Sequence, residues 1–263
     1  NIHFICLACV SLCLASKLYG KRFFASFLAL LVFSVAVTRV SAWSNGGYSS
    51  DVSSPKYGTH DWIAEHAKNW LPVGMRKWID DNLNCFLYGT EFPDNSGASY
   101  GSIKGYGDTT KHHNYYDLSG AVTDASAANR AKAEFDKALL ELKAGRNATA
   151  TVYAGSMTHY ICDVAVFAHV MTGETHHSDY EEYVETRTAK YSYGVFEVCL
   201  IFDGKLENVS AYDASVRLGR NTFDGGRGPY TAAWMDANYN WGNSAFKNRC
   251  GESLNLAANY VAD

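Results

Sequence analysis

The histidine and carboxylate spacing within residues 157–181 constrains the fold of this chain more than any other feature. His159 and Asp163 are four residues apart, and so are His177 and Glu181, so each pair would lie on one face of a helix. Imidazoles and carboxylates on facing helices build multi-metal sites inside helical bundles. The spacing therefore predicts two helices whose polar faces meet at a shared metal site.

A fifth group of the same kind lies between the two pairs. His169 follows His159 by ten residues, which places it about 80° further round if one helix continues at ~100° per residue. A lone histidine in such a sequence would more often be a satisfied core or surface group. Five such groups in this order favour metal ligation instead.

The rest of the chain predicts an all-α, single-domain multi-helix bundle with the metal site in a cleft between helices. Alternating strand patterns are scarce, and no internal repeat or linker divides the chain. A Gly-, Ser- and Tyr-rich loop over residues 95–110 is expected at the rim of the site, and residues 43–57 are expected to form an extended arm. Apolar stripes and end signals predict helices over residues 59–70, 76–85, 125–144, 148–171, 178–193 and 243–261.

The first 42 residues have the pattern of a signal or leader segment, which leaves residues 43–263 as the folded domain. Basic residues precede an apolar run of 15 residues, and small residues follow it up to Ala42. The run is short compared with the ~20 residues of a membrane span, so a cleaved signal peptide is favoured over a signal anchor. We therefore expect a secreted protein, extracellular or in the lumen of the secretory pathway, whose mature chain begins at Trp43.

Composition adds three expectations for residues 43–263. This part has 19 Lys and Arg against 27 Asp and Glu, which gives a formal net charge of −8. That charge argues against nucleic-acid binding through a broad, positively charged surface. Sequons at Asn147 and Asn208 are consistent with a secreted glycoprotein. Four cysteines could form two disulfides in an exported protein, and the three possible pairings stay open: Cys85, Cys162, Cys199 and Cys250.

Six short motifs follow one another along the mature chain. They are W-S at Trp43, H-D-W-I at His60, F-P-D ending at Asp94, H-N-Y at His113, H-Y-x-x-D-x5-H from His159 to His169, and H-S-x-Y-E from His177 to Glu181. In this order they resemble the bacterial zinc-dependent phospholipases C, including the clostridial lecithinase toxins, and more distantly the fungal single-strand-specific nucleases. The resemblance spans essentially all of residues 43–263.

The resemblance implies three zinc ions (Zn²⁺) and a ligand for each position. The first ion would be held by Asp94, His113, His159 and Asp163, the second by His169, His177 and Glu181, and the third by the amino and carbonyl groups of Trp43 with His60 and Asp163. Asp163 would thus bridge two ions. The H-x-Y pattern favours His113 over its neighbour His112. A free α-amino group, with a pKa near 8, becomes a good ligand once a metal displaces its proton.

The resemblance also implies phospholipase C action on glycerophospholipids. A zinc-activated water would attack phosphorus and release diacylglycerol and a phosphorylated headgroup, with Asp94 as the candidate acceptor of the water's proton. The expected partner is phospholipid at a membrane surface or in aggregates. The protein itself is expected to be a monomer without a stable nucleic-acid partner.

Two other functions stay open. One is a single-strand-specific nuclease or 3′-nucleotidase of the same superfamily, and the other is a non-catalytic secreted zinc-binding protein with a closed site. The short gap between His169 and His177, and Glu181 where the nucleases typically have Asp, favour the phospholipase. Asn95 stands after Asp94 where the choline-binding enzyme has an aromatic residue, so the headgroup is left open. Several relatives have a proline within the segment that here reads 164–168, which could shift the helix bend before His169.

Overall fold

The computed structural model describes residues 43–190 and 194–263, and nearly all regular structure in them is helical. The helices are α1 (Thr59–Trp70), α2 (Val73–Asp80), α3 (Leu83–Thr90), α4 (Ser126–Lys143), α5 (Asn147–Asp163), α6 (His177–Thr188), α7 (Ala211–Asp224), α8 (Ala232–Ala237) and α9 (Ser244–Ala262). Short 3₁₀ turns occupy Thr109–Lys111, Phe167–His169, Glu197–Cys199 and Gly225–Arg227. The predicted all-α class is confirmed.

Two small antiparallel hairpins are the only strand pairs among these residues. The first pairs β1 (Ser99–Tyr100) with β2 (Ile103–Lys104), and the second pairs β3 (Tyr115–Tyr116) with β4 (Val122–Asp124). The first hairpin lies inside the loop predicted over residues 95–110. In the part of the chain that the structure describes, no helix has both the length and the apolar character needed to cross a membrane.

Several predicted boundaries fall outside the described residues or differ from them. The leader predicted over residues 1–42 lies outside the described residues, and so does the end of the helix predicted to reach residue 193. One helix predicted over residues 76–85 is in fact two, because Asn82 leaves the helical region at φ −132° and ψ 34° between α2 and α3. The four cysteines of the domain are free thiols in this structure.

Helix α5 lies at the centre, between α4 and α3. Its buried residues contribute to a large apolar core together with aromatic side chains from distant parts of the chain. Largest among the fully buried side chains of this core are Trp43, Tyr160, Phe167, Tyr180, Phe196 and Phe246. Burying aromatic side chains of this size is a dominant source of folding free energy, so α5 is fixed firmly in place.

Helices α3 and α5 approach until their backbones touch. A Cβ atom on Gly89 would overlap the carbonyl oxygen of Val152, and one on Gly155 would overlap that of Phe86. Ser156 reinforces the contact, since its Oγ donates a hydrogen bond of 2.9 Å to the Gly89 carbonyl oxygen. The loop that follows α3 is therefore held close to the C-terminal half of α5.

The central helix ends earlier than predicted, and the prediction of one helix over residues 148–171 is wrong at that end. Helix α5 stops at Asp163, and Val166 has extended backbone angles of φ −81° and ψ 129°. Branching at Cβ makes valine a weaker helix former, and the segment places two valines within three residues. His169 therefore stands on a separate 3₁₀ turn and not on the helix that carries His159.

The segment before α1 is folded onto the helices and is not a free arm. The buried carboxylate of Glu91 accepts hydrogen bonds from the backbone N–H groups of Ser49 and Lys56, at 2.6 Å and 3.0 Å. Trp43 is fully buried, and its indole Nε1–H donates a 3.0 Å hydrogen bond to the carbonyl oxygen of Cys162. Trp43 is thereby placed beside the end of α5.

Substituting Gly155 by alanine tests the backbone contact between α3 and α5. The added methyl group has to push the two helices apart, so Gly155→Ala is expected to lower the free energy of unfolding by about 1–3 kcal/mol. Gly74→Ala is the matched control, because a Cβ at that helical position meets nothing within 4 Å. It should stabilise by roughly 0.5–1 kcal/mol. Chemical denaturation measures both, and a Gly155→Ala protein as stable as the wild type would disprove the contact.

Candidate metal centre

Buried imidazoles and carboxylates from six parts of the chain converge into three sets, the first two of which share His159. Within each set the candidate ligand atoms lie within 4.8 Å of one another. The sets are His60, His159 and Asp163; Asp94, His112 and His159; and His169, His177 and Glu181. His177 is the least buried member, with 13% of its side chain exposed, so the third set is the one that reaches solvent.

Asp163 belongs to the first set and also lies close to two members of the second. Its Oδ1 lies 3.3 Å from His60 Nε2, and its Oδ2 lies 3.2 Å from both His112 Nδ1 and His159 Nε2. Burial raises the pKa of Asp163 well above its usual range, and the neighbouring carboxylates of Asp94 and Glu181 raise it further, whereas His112 opposes them. The last residue of a helix also faces the negative end of its dipole. An anionic Asp163 at this position therefore needs positive charge beside it.

His112 occupies the place that the sequence assigned to its neighbour. Its Nδ1 lies 3.5 Å from Asp94 Oδ1 and 3.4 Å from His159 Nε2, and its side chain is 1% exposed. The loop before β3 is fixed there because the N–H of Asn114 donates to the carbonyl oxygen of His169 at 3.1 Å. The second set therefore contains His112.

The structure does not bring His113 into any of the three sets. Its Nε2 lies 3.2 Å from Asp124 Oδ2, and its ring stacks on Tyr115 with centroids 4.2 Å apart. His112 follows the 3₁₀ turn with φ −93° and ψ 15°, and at this irregular step the two adjacent histidines face different surroundings. The H-x-Y spacing could not distinguish them, and the structure brings His112, not the predicted His113, to the other candidate ligands.

The third set is built by the start of α6 and the 3₁₀ turn after α5. His177 Nε2 lies 2.9 Å from Glu181 Oε1, one helical turn along, and 3.0 Å from His169 Nε2. Burial lowers the pKa of His169 to about 4, against the effect of Glu181. Burial also acts to lower the pKa of His177, but the carboxylates of Glu181 and Glu174 outweigh it, so that pKa is raised.

The donor atoms fit divalent metal ions such as Zn²⁺. Among the described residues, both ring nitrogens of His60, both carboxylate oxygens of Asp163 and Asp94 Oδ1 are buried without a hydrogen-bond partner. Leaving such groups unpaired costs about 1–3 kcal/mol each. Burial lowers the pKa of His60 and His159, so both imidazoles are neutral and their lone pairs are free to bind. Nitrogen and carboxylate oxygen are ligands that zinc prefers.

Trp43, which the resemblance assigns to a third ion, has its backbone next to His60. Its backbone is one of the groups that raise the pKa of His60 against the larger, lowering effect of burial. Its ring lies 5.4 Å from that of Tyr180 in the core. Coordination through its α-amino group stays a prediction.

Sequence reasoning missed the groups that hold the outer sides of these side chains. Asn45 Nδ2 donates to Asp94 Oδ2 at 2.8 Å, and His159 Nδ1 lies 2.7 Å from the carbonyl oxygen of Thr90. Glu174 Oε1 lies 3.5 Å from His177 Nδ1. A fourth group, Asp108, has its Oδ1 3.6 Å from His112 Nε2. Glu174, three residues before His177, and Asp108, four residues before His112, carry a spacing signal, whereas Asn45 and Thr90 are far in sequence from the side chains they contact.

Comparison with known proteins gives one family match and two similar structures. A family model described as zinc dependent phospholipase C matches residues 59–261. No curated protein is similar enough to the chain to count as a match. Alpha toxin from Clostridium absonum is 20% identical, with a TM-score of 0.50, over 82% of this chain and 63% of the toxin. Clostridium perfringens alpha-toxin from an avian strain is 16% identical, with a TM-score of 0.47, over 82% of this chain and 64% of the toxin.

The chain spans less than two thirds of the length of either toxin. At 20% identity, the likeness to the Clostridium absonum toxin shows a shared fold. The family match covers most of the chain, including every member of the three sets.

Paired substitutions of the adjacent histidines test the assignment to His112. His112→Ala removes a ligand atom from the second set and is expected to lower the bound metal per chain, whereas His113→Ala should leave it unchanged. Elemental analysis after gel filtration in metal-free buffer measures both, with circular dichroism as a check on folding. Metal lost from His113→Ala but kept by His112→Ala would restore the sequence-based choice.

Proposed function

The chain belongs to the zinc-dependent phospholipase C family, and from that premise we propose that it is a zinc metallohydrolase acting on glycerophospholipids. The bond cleaved is the one between glycerol and phosphate, which yields diacylglycerol and a phosphorylated headgroup. The family predicted from the motifs is confirmed by the match over residues 59–261. The observation that carries the activity is the convergence of buried, unpaired nitrogen and oxygen donors around Asp163.

The proposed centre holds three zinc ions. Their ligands are Asp94, His112, His159 and Asp163 for the first, His169, His177 and Glu181 for the second, and Trp43, His60 and Asp163 for the third. The division is supported by Asp163, whose two oxygens face different histidines: Oδ1 faces His60 and Oδ2 faces His112 and His159. One carboxylate can thus serve two ions.

Bound zinc would neutralise the phosphodiester and lower the pKa of the attacking water. Asp94 is the residue proposed to accept that water's proton. Asn45 holds Asp94 Oδ2 by a 2.8 Å hydrogen bond, while Oδ1 is buried and has no hydrogen-bond partner among the described residues. One oxygen is therefore fixed in place, and the other is available to the reacting groups.

The proposal also concerns where the protein works. We infer that residues 1–42 are removed on export and that the mature, secreted chain begins at Trp43 and acts as a monomer on phospholipid at a membrane surface or in aggregates. The fold does not by itself choose the headgroup, so the substrate class is glycerophospholipid.

Parallel assays on phosphatidylcholine vesicles and single-stranded DNA test the activity of protein that begins at Trp43. Diacylglycerol release is expected, with complete loss on chelation and recovery on adding zinc. Asp94→Asn should lower kcat by about 10²-fold or more, because the proton acceptor is removed. Hydrolysis of DNA alone would assign the nuclease function, and zinc binding with neither activity would assign a non-catalytic zinc protein.

Adding one residue before Trp43 tests its α-amino group as a ligand. The extra peptide bond removes the free amine, so we expect the bound zinc to fall by about one ion and turnover to drop sharply. The matched control is protein cleaved to start at Trp43 from the same precursor. Unchanged zinc content and turnover in the extended protein would show that the third ion is held without the amine.

A further inference from the structure

Asp108 is outside every set of candidate ligands, yet its carboxylate ends beside one of them. The two nitrogens of His112 face opposite ways: Nδ1 faces Asp94, His159 and Asp163, whereas Nε2 lies 3.6 Å from Asp108 Oδ1. Nε2 is fully buried and has no hydrogen-bond partner in the described part of the chain, so this carboxylate is within ion-pair distance of a buried nitrogen that lacks an acceptor. Asp108 is thus the acceptor available to the outer side of His112.

The carboxylate of Asp108 is itself held from two sides. The hydroxyl of Tyr160 donates to Oδ1 at 2.6 Å, and Arg130 Nε lies 2.8 Å from Oδ2. Arg130 is fixed in turn, because its guanidinium lies 3.1 Å from the buried Glu134 carboxylate and stacks 4.4 Å above the ring of Tyr106. Asp108 therefore belongs to an ordered network that crosses from the loop before β3 to α4 and α5.

A neutral imidazole carries one proton, and the partner of one nitrogen decides which tautomer forms. When the outer nitrogen keeps the proton, the inner nitrogen offers its lone pair to a metal. Two other histidines of the centre also have an oxygen beside the outer nitrogen: the carbonyl oxygen of Thr90 lies 2.7 Å from His159 Nδ1, and Glu174 Oε1 lies 3.5 Å from His177 Nδ1. The outer nitrogen of three imidazoles thus has an oxygen at hydrogen-bond or ion-pair distance.

We propose that Asp108 is a positioning residue for His112, which accepts the Nε2–H bond and so aims the Nδ1 lone pair at the zinc held with Asp94 and Asp163. This inference rests on the proposed zinc centre. Arg130 and Tyr160 keep the Asp108 carboxylate at the required place. Mutating a residue that accepts a hydrogen bond from the outer nitrogen of a metal-bound histidine commonly lowers metal affinity by 10–100-fold.

Zinc affinity, measured by competition with a chromogenic chelator, tests the proposal on the full domain. Asp108→Ala is expected to weaken one class of bound zinc by about 10–100-fold. Asp108→Asn should weaken it less, since its amide oxygen can still accept from Nε2–H. The matched control is Asp124→Ala, which takes the carboxylate from His113 in the same way and should leave affinity unchanged. Wild-type affinity in Asp108→Ala, or an equal loss in Asp124→Ala, would overturn the proposal.

Two further measurements separate positioning from folding. Arg130→Gln releases Asp108 Oδ2 without touching a ligand, so it should give a smaller loss of zinc affinity of the same class, even if Asp108→Ala fails to fold. Nitrogen-15 NMR of the metal-free protein reports the tautomer of His112, which should shift away from Nε2–H in both variants. An unchanged tautomer would contradict the role of Asp108. Neither readout uses phospholipid, so a protein that binds zinc without hydrolysing lipid leaves this test intact.

Discussion

The buried carboxylate of Asp163 is the interaction on which the candidate centre depends. It ends α5 inside the core, where burial and neighbouring acids raise its pKa and where its oxygens lie close to the imidazoles of His60, His112 and His159. Such a group of buried lone pairs is unfavourable by itself. Burial removes the water that would hydrogen-bond to them, and several of these atoms have no hydrogen-bond partner in its place among the described residues. Bound metal ions would supply positive charge to these lone pairs. The contacts that destabilise the metal-free centre would then stabilise the metal-bound one.

The surroundings of Asp163 explain how so many polar groups are tolerated in one place. The outer edge of the centre is lined by acceptors and donors from loops and from the end of α3: Asn45, Thr90, Asp108 and Glu174. Each of them orients a side chain that faces inward, and the apolar core around Tyr160 and Phe167 prevents water from replacing these contacts. The geometry of the centre therefore depends on the hydrogen bonds and neighbouring carboxylates around the ligands as well as on the ligands themselves.

The sequence was informative where chemistry follows helical spacing and uninformative where it depends on loops. The pairs His159 with Asp163 and His177 with Glu181 could be predicted because a helix places residues four apart on one face. His169 was assigned to the wrong element, since the end of α5 is set by the extended conformation at Val166 and by tertiary packing. The choice between His112 and His113 depended on which side of an irregular segment faces the core, and no local pattern carries that information.

The contact between Gly89 and Gly155 has a consequence for how this protein can vary. Side-chain packing between helices drifts as residues are exchanged, because a larger group on one side can be offset by a smaller one on the other. Where the backbones of two helices touch directly, as in α3 and α5, substituting neighbouring side chains does not change the distance between the helices. The distance from the loop that carries Asp94 to the helix that carries His159 is therefore insulated from mutation in the surrounding core, which leaves that core free to diverge.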